Sequence, residues 1–195
     1  MRLVIAVLLA ILTAIDVADA QGAPRPQTRQ GFTAAVGLGY GSAALSCDGC
    51  ANDRESGVGV RLLLGGALKP NLILAGEIEG WSKELEGGTV TLAWVSFVAQ
   101  WYPAAARGVF VKGGVGLSGA SLEARNGLAS SKLETAGPGL VVGAGYDIRV
   151  GKNFSLTPFA DFLFAARADA KVSGNSTNQK LGGNLLHVGL AATWH

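Results

Sequence analysis

The chain is short of charge, of aromatic rings and of cysteine, and past its N-terminus it has no long apolar run. Only 15% of its 195 residues are Asp, Glu, Lys or Arg, against 49% hydrophobic, a balance that points toward a membrane. A spanning helix needs roughly 18 apolar residues in a row, and no stretch past the N-terminus supplies them. Two cysteines and two histidines leave little material for a four-ligand zinc site, because His187 and His195 lie far along the chain from Cys47 and Cys50. What is abundant is glycine, 29 residues of it. The apolar content is cut into short pieces between Gly, Asn, Asp and Ser, which reads as all-β with many turns.

The first twenty residues stand apart. Arg2 gives a positive start, Leu3 to Ile15 an apolar core, and Ala18-Asp19-Ala20 a small-x-small cleavage pattern. The core is too short for a membrane anchor, so residues 1–20 are predicted to be a cleaved signal peptide. No cysteine follows the cleavage site to take a lipid. Removal of Arg2, Asp16 and Asp19 leaves 15 basic and 12 acidic residues, a formal charge of +3. That is too weak to argue for nucleic acid. Residues 21–30, with Pro24 and Pro26, read as a short flexible periplasmic lead-in, and residues 31–195 as one domain.

From Phe32 onward apolar and small or polar residues alternate in segments of about ten, the length of a tilted strand crossing a bilayer. Phe32, Ala34, Val36, Leu38 and Tyr40 share one face of the first segment. Val58, Val60, Leu62 and Leu64 share one face of the second, and Leu72, Leu74 and Ile78 one of the third. Segments five to eight repeat the pattern, while the fourth, 89–102, is apolar on both faces and its parity stays open. The apolar column is nearly free of charge. The opposite column carries Arg61, Glu77, Glu79, Lys112, Asp147, Arg149, Asp161 and His187 among Gly, Ala, Ser and Thr. A soluble barrel or sandwich would hide the apolar column; charges in mid-segment favour lipid outside and a polar lumen inside. Connections at 69–71, 103–108 and 151–153 are tight, those at 42–57, 119–136 and 166–183 long and polar, and 82–88 intermediate. Such alternation puts turns and both termini in the periplasm and loops outside. Phe32, Trp101, Phe154 and Trp194 at one set of strand ends, and Tyr40, Phe162 and Phe164 toward the other, suit interfacial girdles.

Three features resemble the small OmpA/OmpX-type outer-membrane β-barrel proteins. The penultimate hairpin reads Gly143-Ala144-Gly145-Tyr146-Asp147, a tight turn, then Phe154-Ser155-Leu156-Thr157-Pro158-Phe159. The last strand ends Val188-Gly189-Leu190-Ala191-Ala192-Thr193-Trp194. The third feature is the plan of eight strands and four loops over residues 32–194. The resemblance implies an eight-stranded antiparallel up-and-down transmembrane barrel in the bacterial outer membrane. It also implies contact with outer-membrane lipid and lipopolysaccharide, and a terminal aromatic signal read by the barrel-assembly machinery. His195 after that aromatic residue departs from the pattern. So does the lack of a peptidoglycan-binding domain, which leaves a cell-wall tether unsupported.

The chemical candidates are few. Cys47 and Cys50, in a long loop of an exported chain, predict a disulfide rather than a metal or redox pair. Arg61, Glu77, Glu79, Lys112, Asp147 and Arg149 predict a network of ion pairs in the lumen. His187 tempts a lipid-modifying reading, since one barrel deacylase group uses His-x-Ser, but His187-Val188-Gly189 has no serine there. Gly113-Gly114-Val115-Gly116 falls inside a strand and so is no phosphate loop. Asn175-Ser176-Thr177 matches a glycosylation acceptor but reads as loop. No cofactor is implied. The favoured reading is a non-enzymatic barrel with structural or surface-interaction duties, its long loops meeting any extracellular ligand. A narrow channel and a lipid-modifying enzyme are the alternatives. The exported protein is predicted to begin at Gln21 with Cys47 bonded to Cys50. Thiol labelling without reductant should then find neither cysteine, and stoichiometric labelling of both would contradict it.

Overall fold

A computed structural model describes residues 29–46, 54–85, 88–126, 129–172 and 175–195. The signal peptide, most of the lead-in and Cys47 and Cys50 lie outside the described residues. The strands are β1 (Gly31–Ser46), β2 (Arg54–Lys69), β3 (Leu72–Leu85), β4 (Gly88–Trp101), β5 (Val109–Asn126), β6 (Ala129–Tyr146), β7 (Ile148–Arg149), β8 (Phe154–Val172) and β9 (Asn175–Trp194). The two-residue β7 prolongs β6 past Asp147 along the same partner, β8. Neighbours in sequence pair antiparallel, and β1 pairs with β9, so eight long strands close into an up-and-down barrel. Closure leaves no free edge.

The side-chain period of two sets inside and outside. Leu38, Val58, Leu64, Val115 and Leu117 are each more than 60% exposed on the outer wall, while Arg61, Glu77, Lys112 and Asp161 are each under 5% exposed inside. The fourth strand obeys the same rule. Val95, Phe97 and Trp101 face outward, whereas Val90, Leu92, Trp94, Ser96, Val98 and Gln100 face inward. Its parity was hidden because this strand puts large apolar side chains on both faces. The interior is therefore less polar than alternation with Gly and Ala suggested. Trp81, Trp94, Leu92, Leu163 and Leu185 cap the charged middle on the side of the long connections, and Leu63, Ile73 and Phe110 lie on the other side. The buried indoles of Trp81 and Trp94 donate to the carbonyls of Gly41 (3.1 Å) and Phe164 (3.4 Å).

The long connections are the main departure from expectation. Segments 119–136 and 166–183, expected as loops, are largely paired strand: β5 and β6 stay in register to Asn126 opposite Ala129, and β8 and β9 reach Val172 opposite Asn175. In the first connection, β1 and β2 pair as far as Ala44 opposite Arg54. Polar sequence misled here because a hairpin projecting past an apolar belt is solvated on both faces. It keeps its backbone hydrogen bonds without an apolar column to announce it.

Glycine makes room where the wall meets bulky interior groups. A Cβ on Gly143 would overlap the Oδ1 of Asp161, and one on Gly59 the ring of His187, whereas Gly113 faces outward with nothing within 4 Å. Gly143→Ala should cost about 1–3 kcal/mol of stability by overpacking, while Gly113→Ala should leave the unfolding midpoint in urea nearly unchanged. Equal losses from the two would contradict the inward placement of Gly143.

Candidate functional site

The barrel middle is an ionic cluster built from five strands. Arg61 comes from β2, Glu77 and Glu79 from β3, Lys112 from β5, Asp161 from β8 and His187 from β9. Each occupies an inward position of its strand: pairing register sets Arg61 opposite Glu79 and Asp161 opposite His187, and Lys112 of β5 reaches them across the interior. The Lys112 ammonium is the hub. Its Nζ donates to both oxygens of Glu77 (2.7 and 2.6 Å), to Glu79 Oε1 (3.2 Å) and to Asp161 Oδ2 (2.9 Å). Arg61 Nε donates to Glu77 Oε2 at 2.8 Å, and its Nη1 lies 3.7 Å from Asp161 Oδ2. The Nδ1 of His187 is 2.8 Å from Glu79 Oε2. An ionised carboxylate can only accept, so this nitrogen carries the proton. Phe159 stacks on two members, its ring 4.8 Å below the Arg61 guanidinium and edge-on to His187 at 5.1 Å.

Three carboxylates with oxygens within 4.8 Å of one another would by composition suit a cation. Lys112 already supplies that cation from within the chain. The cluster is charge-assisted throughout, the strong class of hydrogen bond, and its members shield one another from the cost of burial. Among the described residues the second ring nitrogen of His187, Nε2, finds no hydrogen-bond partner.

Of the inward column, Arg61, Glu77, Glu79 and Lys112 meet here, together with Asp161 and His187. Asp147 and Arg149 do not join them. Asp147 falls in the gap between β6 and β7, at the end of the barrel where the short turns lie, and gathers a second cluster. Thr157 donates to its Oδ1 (2.8 Å), and Tyr102 to its Oδ2 (3.0 Å). His195 Nε2 stands 3.2 Å and Arg29 Nη2 3.4 Å from the same Oδ2. Arg149 donates to the carbonyl of Lys152 at 2.7 Å in its own turn.

Arg29 corrects the reading of the lead-in as wholly flexible. It is fully buried, donates to the carbonyls of Ala105 (3.2 Å) and Arg107 (2.9 Å), and lies 3.4 Å over the Tyr102 ring. Alternation carried no signal for Arg29, Tyr102 or His195, because all three stand outside the strands. Of the aromatics assigned to the rims, Phe32, Tyr40, Trp101, Phe162, Phe164 and Trp194 are exposed and Phe154 is half-buried. Phe154 and Trp194 pair at 5.1 Å near the turn end together with Phe32 and Trp101, while Tyr40, Phe162 and Phe164 are exposed further along. Among the described residues a cavity of about 10 Å³ lies between the two clusters and one of about 20 Å³ beside Trp94.

This is the fold of the small eight-stranded outer-membrane barrels. Among solved structures the chain is similar to Ail, the attachment invasion locus protein of Yersinia pestis, with a TM-score of 0.59 and 14% identity over 83% of this chain and 99% of that one. It is also similar to Neisserial surface protein A, with a TM-score of 0.56 and 15% identity over 84% of this chain and 96% of that one. No family model and no curated protein sequence matches it.

If Lys112 is the hub, Lys112→Met should cost about 3–5 kcal/mol, since it leaves three buried carboxylates with one fixed cation. Adding Glu77→Gln should recover part of that loss. Simple additivity of the two changes, read from urea midpoints, would show that the residues act independently in a wet lumen.

Proposed function

We propose that the protein is a non-conducting, non-enzymatic barrel of the bacterial outer membrane that displays stiff hairpins as a surface for interaction. One observation carries the reading: the wall is apolar outside while the interior is closed by paired charge and aromatic side chains. Exposed apolar side chains such as Leu38, Val95, Phe97, Val115, Leu117 and Leu190 recur on every long strand. A soluble monomer does not carry so continuous an apolar surface, whereas lipid requires it. Two interior cavities of about 20 and 10 Å³, each room for about one water, support a closed lumen.

The turn end and both described chain ends then lie in the periplasm, and the strand-paired hairpins of β5–β6 and β8–β9 stand outside the cell. Recognition of an extracellular ligand falls to those hairpins, contact with lipid and lipopolysaccharide to the wall, and contact with the barrel-assembly machinery to β9. Paired backbone holds a surface in one shape, which lowers the ordering cost of binding a partner.

The protein should fractionate with outer membranes and run with heat-modifiable mobility. In planar bilayers it should show little or no conductance. A large steady conductance, or recovery as a soluble periplasmic protein, would overturn the proposal.

A further inference from the structure

Arg29 crosses the mouth of the barrel at its turn end. It stands two residues before Gly31, where β1 begins opposite Ala67 of β2. Its guanidinium ends on the connection between β4 and β5, donating to the carbonyls of Ala105 (3.2 Å) and Arg107 (2.9 Å). Round the closed sheet that connection is reached from β1 through β2, β3 and β4 one way, and through β9, β8, β6 and β5 the other. The two lie on opposite sides of the ring, so the contact spans the opening. Gly31 turns the chain toward it. Its φ of 76° lies in the left-handed region that L side chains rarely adopt, and a Cβ there would meet nothing within 4 Å. Backbone direction, not crowding, is what requires a glycine at this point.

Behind Arg29 lies the chamber between the two ionic clusters. Asp147 and Tyr102 line that cavity of about 10 Å³, together with Ala35, Arg61, Gln100 and Thr157. Arg29 covers the first two. Its Nε and Nη2 each lie 3.4 Å from Asp147 Oδ2, and its guanidinium lies 3.4 Å over the Tyr102 ring. Bonds between charged partners are the strong class, and the face of a ring suits a planar cation. One side chain makes all of these contacts, so they form and break together. We propose that Arg29 is the bolt of a latch that closes the turn end of the barrel, with Gly31 as its hinge. With Arg29 drawn out, the chamber and the Arg61 side of the ionic hub open to solvent from the turn side alone. The hairpin side stays shut behind Trp81 and Trp94, both 2% exposed. The latch needs only the closed barrel, whatever surrounds the wall.

The test follows one reporter thiol in the full exported chain carrying Cys47→Ser and Cys50→Ser. Ala35→Cys places the thiol in the chamber, and Ala43→Cys places it on the hairpin side of the hub, both at buried inward positions. A small charged methanethiosulfonate measures how fast each is reached in folded protein, which heat-modifiable mobility identifies. Arg29→Ala and Gly31→Val should each speed labelling of Ala35→Cys about tenfold, the weight of one hydrogen bond to a charged group. Labelling of Ala43→Cys should stay as it was. Added guanidinium should refill the slot left by Arg29→Ala and slow labelling again, whereas ammonium at equal concentration should not. An unchanged rate at Ala35→Cys in either folded variant would overturn the proposal. Equal acceleration at Ala43→Cys would do the same, because it marks general loosening, as would guanidinium protecting no better than ammonium. Failure of both variants to fold would also overturn it, since Arg29 would then belong to the frame of the barrel and not to a latch.

Discussion

A lysine ammonium held by three carboxylates in the middle of the barrel is the constraint on which the rest of the structure depends. Charges placed inside a ring of eight strands can neither reach bulk water nor sit unpaired without a cost of several kcal/mol each. Lys112 meets that constraint by binding Glu77, Glu79 and Asp161 together, with Arg61 and His187 closing the set. These residues come from five strands, so their contacts fix how strands distant in sequence stand to one another. Glycine follows from the same demand: Gly59 and Gly143 are where the wall gives way to His187 and Asp161. Ionic clusters of this kind favour one arrangement over near alternatives, because a strand slipped by one residue would turn every charge outward.

The outer surface meets a different demand. Its apolar side chains would be a liability in water, and on the function proposed above they face lipid. Between these two requirements the chain has little freedom, and what freedom it has lies at the ends of the barrel. At one end Arg29, before β1, and His195, after β9, converge on the single carboxylate of Asp147, so both sides of the closing β1–β9 seam are held from one point. At the other end the strands run on into hairpins whose backbone pairing needs no apolar face. There the ladder also tolerates a bulge in β8, between Ala165 and Ala168.

Alternation alone makes most of this legible in the sequence. The inward charges stood out because ionisable residues are rare in the chain and recur at even spacing opposite apolar neighbours, as with Arg61 between Val60 and Leu62. Periodicity could not say which inward charges meet, since strand tilt and shear decide their height along the axis. Asp147 shares the column of the others but lies too far toward the turns to touch Lys112. The fourth strand resisted because Trp94 and Val98 inside match Val95 and Phe97 outside in hydropathy. The hairpins resisted for the opposite reason, being polar on both faces. Arg29 was beyond reach: a lone arginine in a proline-bearing lead-in has no pattern around it.

The most direct measurement of the ionic hub is its own geometry in a bilayer. Solid-state NMR on protein labelled at lysine nitrogen and at the side-chain carboxyl carbons can read the distance from Lys112 Nζ to each neighbour. Three carboxyl carbons, those of Glu77, Glu79 and Asp161, should lie within about 4 Å of that nitrogen, as charge-assisted contacts require. A Lys112 ammonium that couples to water and to none of the three would contradict the account.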